Sequence, residues 1–361
     1  MKILITGGAG FVGSHLAERL LHQGHEVHAY DNLSTGSLVN VRALRTHRKF
    51  RLTTADILEE KKLEAAIRAA DQIYHLAAAV GVRWIMENPV ETIITNVRGT
   101  ENVLAAAARH GKPTLVTSTS EVYGKAMEVG GRKKLAEGDD WTLGPTRVRR
   151  WAYACSKAMD EFLARAYFDE KGLPVVIVRL FNTVGPRQTG RYGMVIPNFV
   201  QRALLHEPIP IHGDGRQTRS FTHVADAVRA MTELMKRPKA RGEVVNIGSG
   251  EVISIRGLAE RVLQMTGSRS RLKFIPYFFL ALAISAAGVA LVRAVAPHLG
   301  WVSRPRADRW HRRPTALMGG AGFVPGILMI SLWQLAAAWP SGLSSLLAPA
   351  EIPRPLLVLG S

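Results

Sequence analysis

The stretch that most constrains this chain is Met1–Arg19, MKILITGGAGFVGSHLAER. Ile3, Leu4 and Ile5 make the continuous apolar run of a strand buried on both faces. Thr6-Gly7-Gly8-Ala9-Gly10-Phe11-Val12-Gly13 follows, and then a helical spacing with Leu16, Leu20 and Leu21 on one face, stopped by Gly24. Strand, glycine loop and helix in that order is the context in which glycine spacing predicts a dinucleotide site. Gly7 permits the tight turn, Gly10 lets backbone approach a pyrophosphate, and Gly13 lets the helix lie close to the strand. The pyrophosphate would sit on N–H groups at the positive end of that helix.

A second feature agrees. Glu26–Tyr30 alternates like the next strand, and Asp31 ends it. A carboxylate there takes the adenosine ribose hydroxyls and repels a 2′-phosphate, so the expected cofactor is NAD. At 361 residues the chain has room for two domains and a substantial core. Its single cysteine, Cys155, excludes an intrachain disulfide and fits a reducing compartment. Met1 runs straight into the first strand, so no signal peptide is expected and the catalytic part is placed in the cytoplasm. The formal charge of +18 suits anionic ligands such as nucleotide diphosphates, or an anionic membrane surface. No helix-turn-helix, zinc-finger or RNA-binding signature accompanies it, so nucleic acid is not an expected partner.

Further along, βαβ alternation predicts a parallel sheet covered on both sides. Residues 37–49 read as a loop with a short helix. Strands are expected at Phe50–Asp56 and Gln72–Ala77, with a helix at Lys61–Ala70 between them. His75-Leu76-Ala77-Ala78 offers small residues that suit backbone packed on a flat ring. A long helix is predicted over 88–110, with Pro89 in its first turn, then a strand at Pro113–Ser118. Residues 125–150 read as a surface loop. A helix carries Tyr153 to about Tyr167, and Val175–Val178 is a strand. Beyond it the elements shorten: helices at 195–205, 224–236 and 255–266, a loop at Gly213–Arg219 and a strand at 244–247.

The chemistry concentrates in the middle of the chain. The strand at 113–118 runs into Thr117-Ser118-Thr119-Ser120-Glu121-Val122-Tyr123-Gly124, hydroxyls at the sheet edge where doubly wound folds place ligands. Tyr153 and Lys157 are four apart, on one helix face. An ammonium near a phenol favours the phenolate, so Lys157 is expected to lower the Tyr153 phenol from its ordinary value of about 10. Such a tyrosine takes a proton from a sugar hydroxyl while the attached carbon gives up hydride, and Thr119 would hold the same hydroxyl.

Taken in order, TGGAGFVG, DNLSTG, ADI, HLAA, STSEVYG, YACSK, RLFNTVGPR and GDGRQTRSFTHVAD resemble the extended short-chain dehydrogenase/reductases that act as nucleotide-sugar epimerases and dehydratases. The resemblance covers residues 1 to about 276. It implies a Rossmann-type α/β fold, a doubly wound parallel sheet over 1–180, with a small nucleotide-sugar region over 181–276. It implies that Gly7, Gly10, Phe11, Val12, Gly13, Asp31, Asn32, Asp56, Ile57, Leu76, Ala77, Ala78 and Asn96 line the NAD site. Tyr153 would be the base, Lys157 its activator and a nicotinamide-ribose ligand, and Thr119 the hydroxyl partner. Asn182 and Arg219 would contact the diphosphate of a UDP- or dTDP-sugar, with no metal, in a homodimer.

The fate of the 4-keto sugar distinguishes the enzymes of such a family. An epimerase needs no further base. A dehydratase needs an acid–base group near C5, and Glu121, two past Thr119, stands where those enzymes keep a glutamate. UDP-glucuronate decarboxylases resemble this chain in reading Thr-Ser-Glu there, whereas GPRQTGRYGMVIPNF looks more like the epimerases. Both outcomes stay open at this point.

After Pro276 the pattern departs from the family, whose polar, sugar-closing segment is expected next. Tyr277–Val292 is uncharged instead, as is 316–339, and together they predict hydrophobic transmembrane helices over 277–361. Gly300–Gly320 is similar to the first cytoplasmic loop of the polyprenyl-phosphate sugar-1-phosphate transferases, without that family's Asp-Asp pair. The Arg-rich loop 304–313 would face outward if the enzyme part lies inside, against the positive-inside rule. These features yield a second expectation: a truncated join of two neighbouring polysaccharide genes, membrane-anchored and catalytically impaired.

Overall fold

The computed structural model describes residues 1–126, 134–189, 194–275, 277–296, 298, 299, 302, 303, 315 and 316. Two compact units divide the chain: Met1–Ile209 with Gln217–Arg271, and Pro210–Arg216 with the segment from Leu272 onward.

The first unit opens with β1 (Lys2–Thr6), α1 (Phe11–His22), β2 (Glu26–Asp31) and β3 (Phe50–Thr54). It continues through α2 (Glu60–Arg68), β4 (Gln72–His75), α3 (Val82–Glu87), α4 (Pro89–Arg109) and β5 (Thr114–Thr119). Then come α5 (Arg150–Lys171), β6 (Val175–Leu180), β7 (Thr183–Val184), α6 (Val195–Leu204) and the start of β8 (Ile209–His212). After the second unit's short excursion follow β9 (Thr218–Arg219), β10 (Thr222–His223), α7 (Val224–Leu234), β11 (Val244–Ile247), β12 (Ile253–Ser254) and α8 (Ile255–Thr266).

Seven parallel strands form the main sheet, in the order β11-β6-β5-β4-β1-β2-β3. The chain winds outward from β1 to β3, then returns to β4 and winds the other way. The switch point lies between β1 and β4, where doubly wound sheets open a crevice at the carboxyl ends of their strands.

Alternation along the strands builds a core on each face. Ile3 and Ile5 point to one side, among Leu16 and Leu20 of α1 and Val224, Val228 and Met231 of α7. Leu4, Ile73, Val116 and Ile177 point to the other, among Leu63 and Ile67 of α2, Val103 and Leu104 of α4, and Ala164 of α5. Each such aliphatic side chain contributes about 1.5–3 kcal/mol when fully buried, which is why the strands read as near-continuous apolar runs.

Two sequence expectations need adjusting. The short helix of 37–49 is a pair of 3₁₀ turns, Leu38–Val41 and Leu44–Thr46. The long helix starting near Asn88 is preceded by α3: Asn88 leaves the helical region (φ −128°) ahead of Pro89, as residues before proline do.

In the second unit β8 pairs with β13 (Leu272–Ile275), followed by α9 (Tyr277–Val295) and the antiparallel hairpin β14 (Val302–Ser303) and β15 (Thr315–Ala316). The apolar run after Tyr277 thus folds as a helix, but the expected membrane span finds no support there. Among the described residues no helix is long and apolar enough to cross a membrane. The sixteen uncharged residues 277–292 fall short of the roughly 20 a bilayer core needs, and Arg293 occupies the last turn. The second apolar run and most of the transferase-like stretch lie outside the described residues.

Candidate active site

The glycine loop is a cradle that side chains would fill. Gly7 has φ +71°, and a Cβ on Gly13 would come 2.1 Å from the Gly7 carbonyl oxygen, so the first turn of α1 lies directly on the loop. Gly10, the residue before α1, gives that helix no side-chain cap, and no acidic side chain stands in its first turn. The positive end of α1, at Phe11 and Val12, therefore suits an external anion.

Asp31 fastens the loop from below. Its Oδ2 accepts the Ala9 N–H at 2.9 Å and its Oδ1 the Leu33 N–H at 2.8 Å. Burial pushes this carboxyl up, while the N–H groups of Leu33, Ala9 and Gly10 draw it back down. A carboxylate has acceptor positions beyond these for ribose hydroxyls. Asn32 donates to Asp56 Oδ2 at 2.7 Å, bringing the ends of β2 and β3 together. Leu76, Ala77 and Ala78 follow β4 against the loop, with the Ala77 N–H on Thr6 Oγ1 at 3.3 Å. Ile57 is buried in the core. The cradle, the uncapped helix end and the carboxylate are together the donor and acceptor set a dinucleotide requires, so these residues fit NAD.

Asn96 is placed differently from the other expected ligands. It is 1% exposed, accepts the Ala79 N–H at 2.7 Å and donates to Ser156 Oγ at 3.0 Å. It ties α4 to the loop after β4 and to α5.

The candidate reacting groups lie past the end of β5. Thr119 caps the 3₁₀ turn Ser120–Tyr123, accepting the Glu121 N–H at 3.2 Å. Its own hydroxyl proton is left for the Tyr153 phenol oxygen, whose ionised form it would stabilise. Glu121, on the same turn, faces the phenol closely enough to affect its charge. Thr119 and Leu180 are register partners across β5 and β6, so Asn182, two residues on, lies at the same sheet edge. Asn182 donates to the Ser220 carbonyl at 3.0 Å, which puts Arg219, exposed on β9, next in the chain.

Lys157 differs from expectation. It shares the helix face with Tyr153, but its Nζ donates to Asp160 Oδ2 at 2.6 Å, with the two side chains 3% and 0% exposed. The Tyr153 phenol is pushed up rather than down. Burial is the largest cause, the Glu121 and Asp160 charges add to it, and the Thr119 hydrogen bond opposes them. The ammonium expected to activate the phenol is paired with the Asp160 carboxylate.

Sequence reasoning also missed the supports of the site. Glu161 accepts from Ser118 Oγ and is gripped by Arg179, which lies over the Tyr123 ring at 4.6 Å. His75 bridges Thr6 Oγ1 (2.7 Å) and Thr100 Oγ1 (3.0 Å), and burial pushes it down to about 3, so it is neutral. The signal for Asp160 was present, since three residues beyond Lys157 is the same face of a helix.

Comparison with known proteins agrees with this geometry. Residues 3–248 match the NAD dependent epimerase/dehydratase family. A UDP-N-acetyl-alpha-D-glucosaminuronate decarboxylase from Bacillus cytotoxicus is 42% identical over 277 residues, covering 76% of this chain and 84% of the relative. UDP-glucuronic acid decarboxylase 1 of Danio rerio is 39% identical over 275 residues, and there the matched part is 76% of this chain but 63% of the relative. Among solved structures, UDP-glucuronic acid 4-epimerase from Bacillus cereus, in complex with UDP-glucuronic acid and NAD, superposes with a TM-score of 0.67 at 31% identity, over 76% of this chain and 86% of that one. An epimerase from Methanothermobacter thermautotrophicus gives 0.70 at 30% identity, over 76% and 80%. The chain belongs to the NAD-dependent epimerase/dehydratase family.

Proposed function

We propose that the chain decarboxylates a UDP-hexuronate, UDP-glucuronate or its 2-acetamido counterpart, through transient oxidation at C4. The observation that carries this reading is the carboxylate of Glu121 beside the Thr119–Tyr153 pair, at a sheet edge that also holds Asn182.

Asp31 and the Gly7–Gly13 loop would hold the adenosine and pyrophosphate of NAD, and Lys157 the nicotinamide ribose. When bound, NAD accepts hydride from the sugar C4 and gives it back at the end. Tyr153 takes the proton of the C4 hydroxyl, which Thr119 orients, from its phenolate form, which the positive charge of a bound nicotinamide would favour against the burial that otherwise keeps the phenol neutral. A ketone at C4 is β to the C6 carboxylate, so the C5–C6 bond breaks, its electron pair flows onto the ketone oxygen and carbon dioxide leaves. Glu121, exposed at the sheet edge, relays a proton taken from solvent water to C5 of the resulting enolate, and Tyr153 returns its proton to the C4 oxygen as the ketone is reduced. Asn182 and Arg219 hold the diphosphate.

A homodimer belongs to the same proposal. α4 and α5 pack on each other, and α4 leaves Val90, Ile93 and Ile94 exposed while α5 leaves Met159 and Phe162 exposed. Paired apolar stripes of this kind suit a second copy.

The test is product analysis with UDP-glucuronate, UDP-N-acetylglucosaminuronate and UDP-glucose in parallel. Carbon dioxide and a UDP-pentose are expected from one or both uronates and no reaction from UDP-glucose. Inversion at C4 with the carboxylate retained would replace this reading with a 4-epimerase.

A further inference from the structure

Asp160 is a buried charge that the chemistry above does not use. It sits on α5 one turn beyond Lys157, is 0% exposed, and holds Lys157 Nζ at 2.6 Å through Oδ2. Its Oδ1 is buried without a hydrogen bond of good geometry, and the Thr100 hydroxyl of α4 is the one further polar group that acts on the carboxylate by hydrogen bonding. A carboxylate built purely for stability would have both oxygens satisfied, because each buried oxygen left empty is costly. This one is committed to the ammonium.

The surroundings explain what the pair can do. On α5 itself the facing groups are Lys157 and Glu161, and Glu161 is neutralised by Arg179 of β6. From α4 comes the Thr100 hydroxyl, and from β4 His75, which is uncharged. Tyr153 lies four residues back on the same helix face as Lys157, and the groups acting on its phenol are Glu121 on the 3₁₀ turn, Asp160 itself and the Thr119 hydroxyl at the end of β5. An ammonium has three donors, so one bond to Asp160 leaves two for groups in the crevice. A fixed counter-ion at this distance also cancels much of the field the ammonium exerts on its other neighbours.

We infer that Asp160 is a positioning residue for the proton transfer: it seats the Lys157 ammonium at the base of the crevice and, as its counter-ion, restrains the pull of that ammonium on the Tyr153 phenol. The inference rests on Tyr153 being the base. Asp160 trades strength of activation for a fixed geometry, since a Lys157 without it would carry a full charge beside the phenol but no defined place.

The test compares the pH dependence of kcat/KM for UDP-glucuronate in wild type, Asp160→Asn and Asp160→Glu, with Tyr153→Phe as reference. Removing the negative charge frees the ammonium to favour the phenolate, so Asp160→Asn is expected to move the acidic limb down by about one pH unit. Asp160→Glu keeps the charge but displaces it, so the limb is expected to stay while kcat falls about tenfold with KM unchanged. An acidic limb in Asp160→Asn that superposes on wild type overturns the inference, because a merely structural residue would alter stability and kcat without moving it. If Asp160→Asn does not fold, the Asp160→Glu result decides alone, and a wild-type kcat there overturns the inference. An active Tyr153→Phe would instead remove the base on which the inference rests, which separates the two failures.

Discussion

Arg179, on β6, grips Glu161, on α5, with Nε 2.9 Å from Oε1 and Nη2 2.7 Å from Oε2, and neither side chain is more than 5% exposed. The Ser118 hydroxyl at the end of β5 donates to the same carboxylate. The bridge therefore bolts the helix carrying Tyr153 and Lys157 to the two strands whose ends carry Thr119 and Asn182.

Breaking that bridge from one side strands a buried guanidinium. Glu161→Ala is expected to cost about 3–5 kcal/mol in urea unfolding, whereas Glu161→Leu with Arg179→Met recovers most of it, since a well-packed apolar pair replaces two desolvated charges. A loss below about 1 kcal/mol in the single variant would show that the bridge does not hold the helix.

His75 makes stability pH-dependent. Its folded value is pushed down to about 3 from 6.5, so the unfolded chain binds a proton that the folded chain refuses. Stability is then expected to fall as pH drops below about 6.5, by at most about 1.4 kcal/mol per pH unit, until about pH 3. His28, pushed down to about 4 by burial and then by Arg51, acts in the same direction. Urea melts of wild type and His75→Asn at pH 7 and pH 5 check this. The variant is expected to be less stable at pH 7, where it loses two hydrogen bonds, and to show a shallower decline; an equal slope would contradict the assignment.

Cofactor binding should depend steeply on one glycine. A Cβ at position 13 would meet the Gly7 oxygen at 2.1 Å, against 3.1 Å for one at position 10. Calorimetric titration with NAD should therefore show Gly13→Ala weakened about tenfold or more, and Gly10→Ala weakened less. Equal affinities for wild type and Gly13→Ala would mean that the dinucleotide does not lie on this loop.

Glu121 separates the possible outcomes at C5. Glu121→Gln is expected to slow carbon dioxide release from UDP-glucuronate by about a hundredfold or more, the scale of one lost acid–base group, while NAD affinity is retained. Unchanged release would assign the C5 proton to another donor.

Most of the architecture was readable in the chain because apolar periodicity records burial directly. Ile3-Leu4-Ile5 predicts a strand with both faces covered, and its neighbours are Leu16 on one side and Leu63 on the other. The Gly7–Gly13 loop and Asp31 were legible because a close backbone approach permits few residue types. The polar interior was not. Spacing alone pairs Lys157 with Tyr153, four residues back, but a charge chooses its partner by burial as well as spacing, and Lys157 is held by the buried carboxylate of Asp160 at 2.6 Å. His75 and Arg179 were opaque for the same reason, since their partners Thr100 and Glu161 are distant in sequence. At the tail, the membrane segment expected from hydrophobicity is not supported among the described residues, where the first apolar run is one helix with Arg293 in its last turn.

The central claim is that Tyr153 moves the C4 proton, and turnover of UDP-glucuronate by Tyr153→Phe, beside its NAD affinity, measures this most directly. Loss of the phenol oxygen is expected to lower kcat by about a thousandfold while NAD binds within about twofold of wild type. A Tyr153→Phe enzyme that releases carbon dioxide at the wild-type rate would contradict the account.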